Sequence, residues 1–285
     1  MNKPFKHKKE QLPQVSMKRL EQLRTLFAQK KWPVDEDIEL SVFERFYKTL
    51  SILNDNEQGF LLDLSYRFVH IPQSEYLTYM LTPLSQLRQD EGNRTLLFVT
   101  CTPKEDVGKI KSSAMVLYQL KGTTLRHHID ISPKRVVENI LRLADYSITD
   151  NTTIVLVDDF VGTGETAINA VDFVRELQPS LKDNSKIIVL CIVALHEGIK
   201  KLAKIGVKTY CSLERRKEIS EEIIDRERDA AKKMMVDIES HLTKLKEEFR
   251  FGYNDSEALV CMERCPNNTF PIYWLTKNTA PYERG

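Results

Sequence analysis

Thr153-Ile154-Val155-Leu156-Val157-Asp158-Asp159-Phe160-Val161-Gly162-Thr163-Gly164-Glu165-Thr166 is the stretch on which the reading of this chain turns. It starts as an unbroken apolar and β-branched run without two-residue alternation, the pattern of a strand covered on both faces. The run stops at two carboxylates. A turn holding Gly162 and Gly164 follows, and then Ala167, Ile168, Ala170, Val171 and Val174 recur as the inward stripe of a helix. Similar buried runs lie at 95–101 and 186–195, with a shorter one at 207–213. Helical patterns separate them: Ile110, Ala114, Leu117 and Tyr118; a helix started by Ser132-Pro133 and carrying Val136, Val137, Ile140, Leu141 and Leu143; and a segment reaching about Lys204. Strands alternating with helices predict an α/β fold, a parallel sheet with flanking helices, over 94–214.

On the N-terminal side, residues 1–93 read as a basic tail (Lys3, Lys6, Lys8, Lys9) and a helical region. Leu20, Leu23, Leu26 and Phe27 make one apolar stripe, and Ile38, Val42, Phe46, Leu50 and Leu53 make another in a helix expected from about Asp35. On the C-terminal side, 215–285 divide in two. Ile219, Ile223, Ala230, Met234, Ile238, Leu242, Leu245 and Phe249 predict an amphipathic helix across 215–249, and a hood-like segment with a short strand near 258–262 follows.

In open α/β sheets ligands sit beyond the carboxyl ends of the strands, where the acids and glycines of 158–166 fall. Gly162 and Gly164 let backbone amides approach a ligand closely, Thr163 and Thr166 add hydroxyls, and a helix N-terminus favours an anion. Val161, Gly162, Thr163, Gly164, Glu165 and Thr166 are therefore candidates for holding a phosphate monoester. Asp158 and Asp159 would repel a bare phosphate, so they should face donors or a cation; sugar hydroxyls and Mg²⁺ both serve. Together the two halves describe a sugar phosphate. The spacing Gly162-x-Gly164-x-x-Ala167 also fits a dinucleotide-binding turn, but the acids intervene before the glycines and would oppose a pyrophosphate. No Lys-Ser/Thr follows the glycines, which excludes a P-loop. An ordinary strand–turn–helix connection is the remaining alternative.

Residues 154–166 resemble the signature of type I phosphoribosyltransferases: four apolar residues, two acids, two apolar residues and a Thr/Gly-rich turn. The resemblance implies that Asp158 and Asp159 hold the ribose hydroxyls of phosphoribosyl pyrophosphate (PRPP) and its Mg²⁺, and that the turn cradles the 5′-phosphate. It also implies a pyrophosphate loop after the first core strand, where Lys104, Lys109 and Lys111 supply charge and Ser112-Ser113 stand ready to cap a helix. The closing hairpin of such enzymes has no obvious counterpart, because the helix from Pro133 fills its place. Gly252-Tyr253, Asp255-Ser256, Ala258-Leu259-Val260 and Pro266-Asn267-Asn268-Thr269, with Pro271-Ile272 and Trp274, resemble the tail of phosphoribosyltransferase-like proteins of bacterial antiphage operons. That implies a possible role in defence and a protein partner from such an operon.

The expected function is accordingly a phosphoribosyl transfer from PRPP, or binding of a ribose 5-phosphate nucleotide, with pyrophosphate release. The alternatives are a non-catalytic sensor of PRPP or nucleotide that regulates a partner, and hydrolysis of an N-glycosidic bond in the same site. The remaining candidates are weaker. His127 and His128 are adjacent and would face opposite sides of a strand, His196-Glu197 follow a buried strand where a base-recognition loop would lie, and Cys261-x-x-x-Cys265 lacks a second ligand pair for zinc.

Composition sets the outer bounds. The 285 residues are 41% hydrophobic and 29% charged, with 42 Lys+Arg against 41 Asp+Glu, so any phosphate or nucleic-acid affinity beyond the short basic tail must come from a local site. Five cysteines, an odd number placed partly in strand-like runs, argue for buried thiols rather than a disulfide framework. No apolar run approaches the roughly 18 residues of a membrane span, and the N-terminus lacks a signal-peptide core; a cytoplasmic protein is expected.

Overall fold

In the computed structural model, residues 15–34, 41–122, 124–125, 135–181, 184–277 and 279–284 are described. Three helices open the chain: α1 (Met17–Lys30), α2 (Val42–Leu50) and α3 (Asp55–Ser65). Strand β1 (Val69–His70) and helix α4 (Tyr76–Glu91) lead into the α/β layer. That layer contains β2 (Thr95–Thr100), α5 (Ser112–Gln119), β3 (Thr152–Val157), β4 (Phe160–Val161), α6 (Glu165–Leu177), β5 (Ile187–Leu195), α7 (His196–Lys204) and β6 (Lys208–Arg215). Helix α8 (Asp225–Ser240) and β7 (Val260–Cys261) belong to the C-terminal segment.

The apolar runs became strands because both their faces are covered. All of β3 and all of β5 are buried. Strands β2, β3, β5 and β6 are parallel neighbours in that order. One face, with Phe98, Val155 and Leu190, packs on Met80 and Leu84 of α4 and Val116 and Leu117 of α5. The other, with Val99, Leu156 and Val189, packs on Ala170 and Val174 of α6 and Leu202 of α7. The expected parallel sheet with flanking helices is therefore the observed fold. Strand β4 continues the line of β3 along β5, since β6 occupies the other edge of β5.

A third core joins the two ends of the chain. Phe27 and Phe46 from the N-terminal helices, Met235 and Ile238 from α8, and Phe270, Tyr273 and Tyr282 from the C-terminal segment are buried together. Residues before β1 and after β6 thus share one apolar lobe, whereas α4 packs on the sheet.

Several local expectations are corrected. The helix expected across 215–249 is α8 alone, 16 residues long. The carboxylate of Glu257 accepts the N–H groups of Ile219 (2.9 Å) and Ser220 (2.6 Å), and buried Glu218 pairs with Arg67 and Arg215. These bonds, all but the Arg215 pair long-range, pin 217–220 in a turn, and Lys244 at φ 71° stands in the left-handed region beyond the helix end. The α-helix expected from Pro133 through Leu143 is also not formed over the described part. Val136 bridges to Phe98, Val137 N–H donates to Phe98 O at 2.8 Å, and only a 3₁₀ turn over Ile140–Asp145 follows. The free edge of β2 offered those β-branched residues a partner that sequence periodicity does not reveal. In α5, Ile110 lies before the helix and is fully exposed, and Tyr118 points outward. The basic tail, the start of the helix expected from Asp35, and His127 and His128 lie outside the described residues.

One buried acid gives the lobe a pH dependence. Glu239 is 1% exposed, and its Oε1 accepts Phe251 N–H at 2.9 Å. Burial, only partly offset by that bond and by Arg250, pushes its carboxyl up to about 7. In the unfolded chain the group titrates near the ordinary glutamate value, so between that value and about 7 the folded state holds a proton that the unfolded state has lost. Stability from this group is full at low pH and declines as pH rises to about 7, by up to about 3 kcal/mol. Glu239→Gln, which keeps the acceptor and removes the charge, is expected to flatten that decline and to be more stable than the parent at pH 8. Urea denaturation at pH 5 and pH 8 measures it; equal slopes in both proteins would refute it.

Candidate functional site

The site is built where the sheet ladder pauses. Val157 stands opposite Leu190 and Phe160 opposite Val193, so the register is unchanged across Asp158 and Asp159. The pause comes because Asp159 O accepts both Ile192 N–H (3.2 Å) and Val193 N–H (3.1 Å). The chain then turns at Gly162-Thr163-Gly164, with Gly164 at φ 85° as the residue before α6. That conformation is costly for a side-chain-bearing residue and directs the first amides of α6 outward.

These residues line a cavity of about 510 Å³. The sheet side contributes Asp158, Asp159 and Val161 through Thr166; the loop after β2 contributes Lys111 and Ser112. The far wall is C-terminal: Tyr253, Arg264, Asn268 and Arg284. Lys104 and Lys109 are not brought in. Lys104 pairs with Glu176 of α6 at 2.6 Å, and Lys109 with Asp106 at 2.7 Å. Lys111 also pairs with Asp106, at 2.6 Å, while lining the cavity.

The two acids are not equivalent. Asp159 is 5% exposed, and both its oxygens are engaged: Tyr76 Oη donates to Oδ2 at 3.0 Å and Ser112 Oγ to Oδ1 at 2.7 Å. Tyr76 is itself buried and accepts Glu263 N–H at 3.1 Å, which ties α4, the strand end and the C-terminal segment together. Burial first, then the charge of Asp159, pushes the Tyr76 phenol up. Ser112, expected as a helix cap, instead spends its hydroxyl on Asp159. Asp158 has one oxygen accepting Asp159 N–H at 2.9 Å. Burial and then the neighbouring Asp159 raise its carboxyl well above the ordinary aspartate range, with Lys111 opposing. Asp158 is the acid with bonding capacity left for a ligand.

The turn is held from both sides. A Cβ on Gly162 would meet Asn268 Oδ1 at 2.4 Å, and one on Gly198, in α7, would meet Gly162 O at 2.4 Å. Glu165 accepts from Tyr253 Oη (3.2 Å) and Asn254 Nδ2 (3.0 Å). It is thus a brace to the C-terminal segment. His196 pairs with Glu214, and Glu197 with Lys201 and Lys217, and neither lines the cavity. Cys261 and Cys265 are free thiols, and no cluster of three or more His, Cys, Asp or Glu suited to a metal occurs among the described residues. Tyr76, Gly198, Arg264 and Arg284 had no sequence signal: each sits far along the chain from 158–166, and only the fold makes them neighbours.

A parallel α/β sheet in which the turn between β4 and α6 joins paired acids to a glycine-rich helix start defines a phosphoribosyltransferase-type protein. Residues 74–284 match the family model PRTase-CE, and the chain belongs to that family. Among solved structures it is similar to orotate phosphoribosyltransferase from Aeropyrum pernix, at 19% identity over 48% of this chain and 70% of that one, with a TM-score of 0.27. It is also similar to the xanthine-guanine-hypoxanthine phosphoribosyltransferase of Helicobacter pylori, at 16% identity over 52% of this chain and 84% of that one, with a TM-score of 0.30. No curated protein matches the chain. Among the described residues no helix is long and apolar enough to cross a membrane.

Proposed function

We propose that this chain binds PRPP and transfers its phosphoribosyl group to an acceptor, releasing pyrophosphate. The observation that carries the reading is a single cavity uniting the 162–166 turn, the under-used carboxylate of Asp158 and the ammonium of Lys111. The amides at the start of α6 would take the 5′-phosphate. Hydrogen bonds to a charged group contribute about 1.5–3 kcal/mol each, so three or four approach the ~8 kcal/mol of micromolar binding. Asp158 would hold the ribose hydroxyls, with Asp159 fixing it through the shared backbone.

The donor set suits Mg²⁺ carried in by the ligand's own phosphates rather than a resident metal, since Mg²⁺ commonly uses one or two carboxylates plus substrate phosphates. Asp158 would be its carboxylate ligand; when bound, the ion would neutralise charge on the leaving pyrophosphate. Lys111 would add to that neutralisation, and the cavity walls orient the anomeric carbon for in-line attack, so catalysis rests on position and electrostatics. The expectation that the site lacks a closing hairpin rested on the helix from Pro133, which is not formed over the described residues 135–143, so it no longer favours a sensor over an enzyme. A role in antiphage defence is carried only by the resemblance of the tail.

Incubation with PRPP and Mg²⁺, alone and with candidate nucleobases, is expected to release pyrophosphate above the spontaneous rate. Tight binding without release over hours would replace the transferase with a sensor. No binding of PRPP or ribose 5-phosphate would overturn both.

A further inference from the structure

No cysteine has a part in the proposed transfer, yet the sheet sets two of them side by side. Cys191 of β5 and Cys211 of β6 are register partners on neighbouring parallel strands, so their side chains leave the same face. That face is the one packed on α6 and α7, where Cys191 is fully buried and Cys211 lies against the same apolar cluster. Neighbouring strands stand about 4.7–4.9 Å apart, inside the about 4.4–6.8 Å that the Cα atoms of a disulfide span. Both residues are free thiols.

The two thiols differ in access. Among the described residues β6 pairs with β5 alone, so it is an edge strand, and Cys211 is the one cysteine of the five that is not buried. A hydrogen bond with the Cys191 thiol lowers the Cys211 pKa from its ordinary value, against burial and the charge of Glu214. Burial raises the Cys191 thiol well above its own ordinary value, so Cys211 is the thiol that ionises first. The other three cysteines lack this combination. Cys101 ends β2 in the same row across the sheet, but Asp158 stands between it and Cys191, which leaves them two strand spacings, about 9–10 Å, apart. Cys261 and Cys265, 3% and 2% exposed, direct their thiols at backbone: Cys261 Sγ donates to Met262 O at 3.1 Å and Cys265 Sγ to Val260 O at 3.8 Å.

We propose that Cys211 and Cys191 form a peroxide-reactive dithiol, with Cys211 the attacking thiol and Cys191 the resolving one. In the first step the Cys211 thiolate attacks one oxygen of hydrogen peroxide, the O–O bond breaks, and hydroxide leaves and takes up a proton as water. Cys211 is then a sulfenic acid. In the second step Cys191 sulfur attacks Cys211 sulfur, the S–S bond forms, the S–O bond breaks, and the hydroxyl leaves with the Cys191 proton as a second water. Two thiols lose two electrons in all, and one peroxide is reduced to two waters. This chemistry needs no ligand in the cavity and stands whether or not the 162–166 turn takes a phosphate.

Treatment of the folded full chain with stoichiometric hydrogen peroxide, followed by alkylation, digestion and mass spectrometry, tests this directly. The expected product is a peptide pair joined through Cys191 and Cys211, with the remaining cysteines recovered as alkylated thiols. In Cys191→Ala the sulfenic acid has no resolving partner, so dimedone should trap at least about 10-fold more adduct on Cys211 than in the parent. Cys211→Ser, a change at the half-buried edge position, should leave Cys191 reduced at the same peroxide dose, and it guards against a core loosened by the Cys191 change. A disulfide between Cys261 and Cys265 that forms first would overturn the assignment. So would oxidation of Cys191 at the parental rate in Cys211→Ser, or survival of all five thiols until the chain is unfolded.

Discussion

Gly198→Ala is expected to lower the affinity for ribose 5-phosphate about 100-fold while leaving the chain folded. A Cβ there would stand 2.4 Å from Gly162 O, 3.1 Å from Val161 Cγ1 and 3.2 Å from Gly164 N. Two of these three neighbours are backbone atoms of the turn, so relief requires the turn itself to move. Relieving the 2.4 Å contact requires a shift of well over half an ångström, which misaims amides whose bonds to a phosphate contribute about 1.5–3 kcal/mol each, and losing one or two corresponds to about 100-fold. The helix offers no compensation in binding, although alanine is favoured over glycine within a helix by about 1 kcal/mol. That term offsets part of the steric cost in folding, so the melting temperature should change little. Calorimetry with ribose 5-phosphate, next to a thermal melt, gives both numbers. Binding at parental affinity would show that the 162–164 turn does not depend on its packing against α7.

The sheet was legible in the sequence wherever burial was two-sided. The runs at 95–101, 153–157 and 186–195 lost their alternation because both faces meet helices, and this property is local. The turn at 162–166 was legible for a similar reason, since glycines, hydroxyls and a helix start sit within a few residues of the acids. What failed depended on partners distant in sequence. Periodicity continues through 215–224, but Glu257, about 40 residues away, captures the amides of Ile219 and Ser220 and prevents helix there. Val136 and Val137 have an apolar pattern that suits helix or strand, and the unpaired edge of β2 decides for the strand-like bridge. Charge count likewise does not give direction: Lys104 and Lys109 are spaced as plausibly as Lys111, but Lys104 pairs with Glu176 on α6, and of the two lysines that pair with Asp106 only Lys111 lines the cavity. The inequality of Asp158 and Asp159, adjacent and identical in the sequence, was also invisible, because it is set by Tyr76 and Ser112.

That inequality predicts two different phenotypes from the same chemical change. Asp158→Asn should fold at least as well as the parent, because burial and the charge of Asp159 disfavour the Asp158 carboxylate. Its effect should fall on the ligand: an amide cannot supply the anionic oxygen that would hold the Mg²⁺ accompanying the pyrophosphate, and affinity for PRPP in Mg²⁺ is expected to drop about 100-fold or more. In the parent that affinity should climb with pH above the ordinary aspartate range, since ionisation of Asp158 is delayed; in Asp158→Asn it should be nearly flat. Asp159→Asn should behave the other way. Its single oxygen can accept from Tyr76 or from Ser112 but not both, and the NH₂ faces a hydroxyl that now lacks an acceptor, at a cost of about 1–3 kcal/mol in folding stability. Binding would weaken only secondarily, as the strand end and the loop carrying Lys111 loosen. Urea denaturation and PRPP titrations of both variants across pH 5 to 8 separate the two. If the variants lose stability equally, or if Asp159→Asn alone abolishes binding at full stability, the acids do not divide their work in this way, and Asp159 rather than Asp158 is the group that meets the ligand.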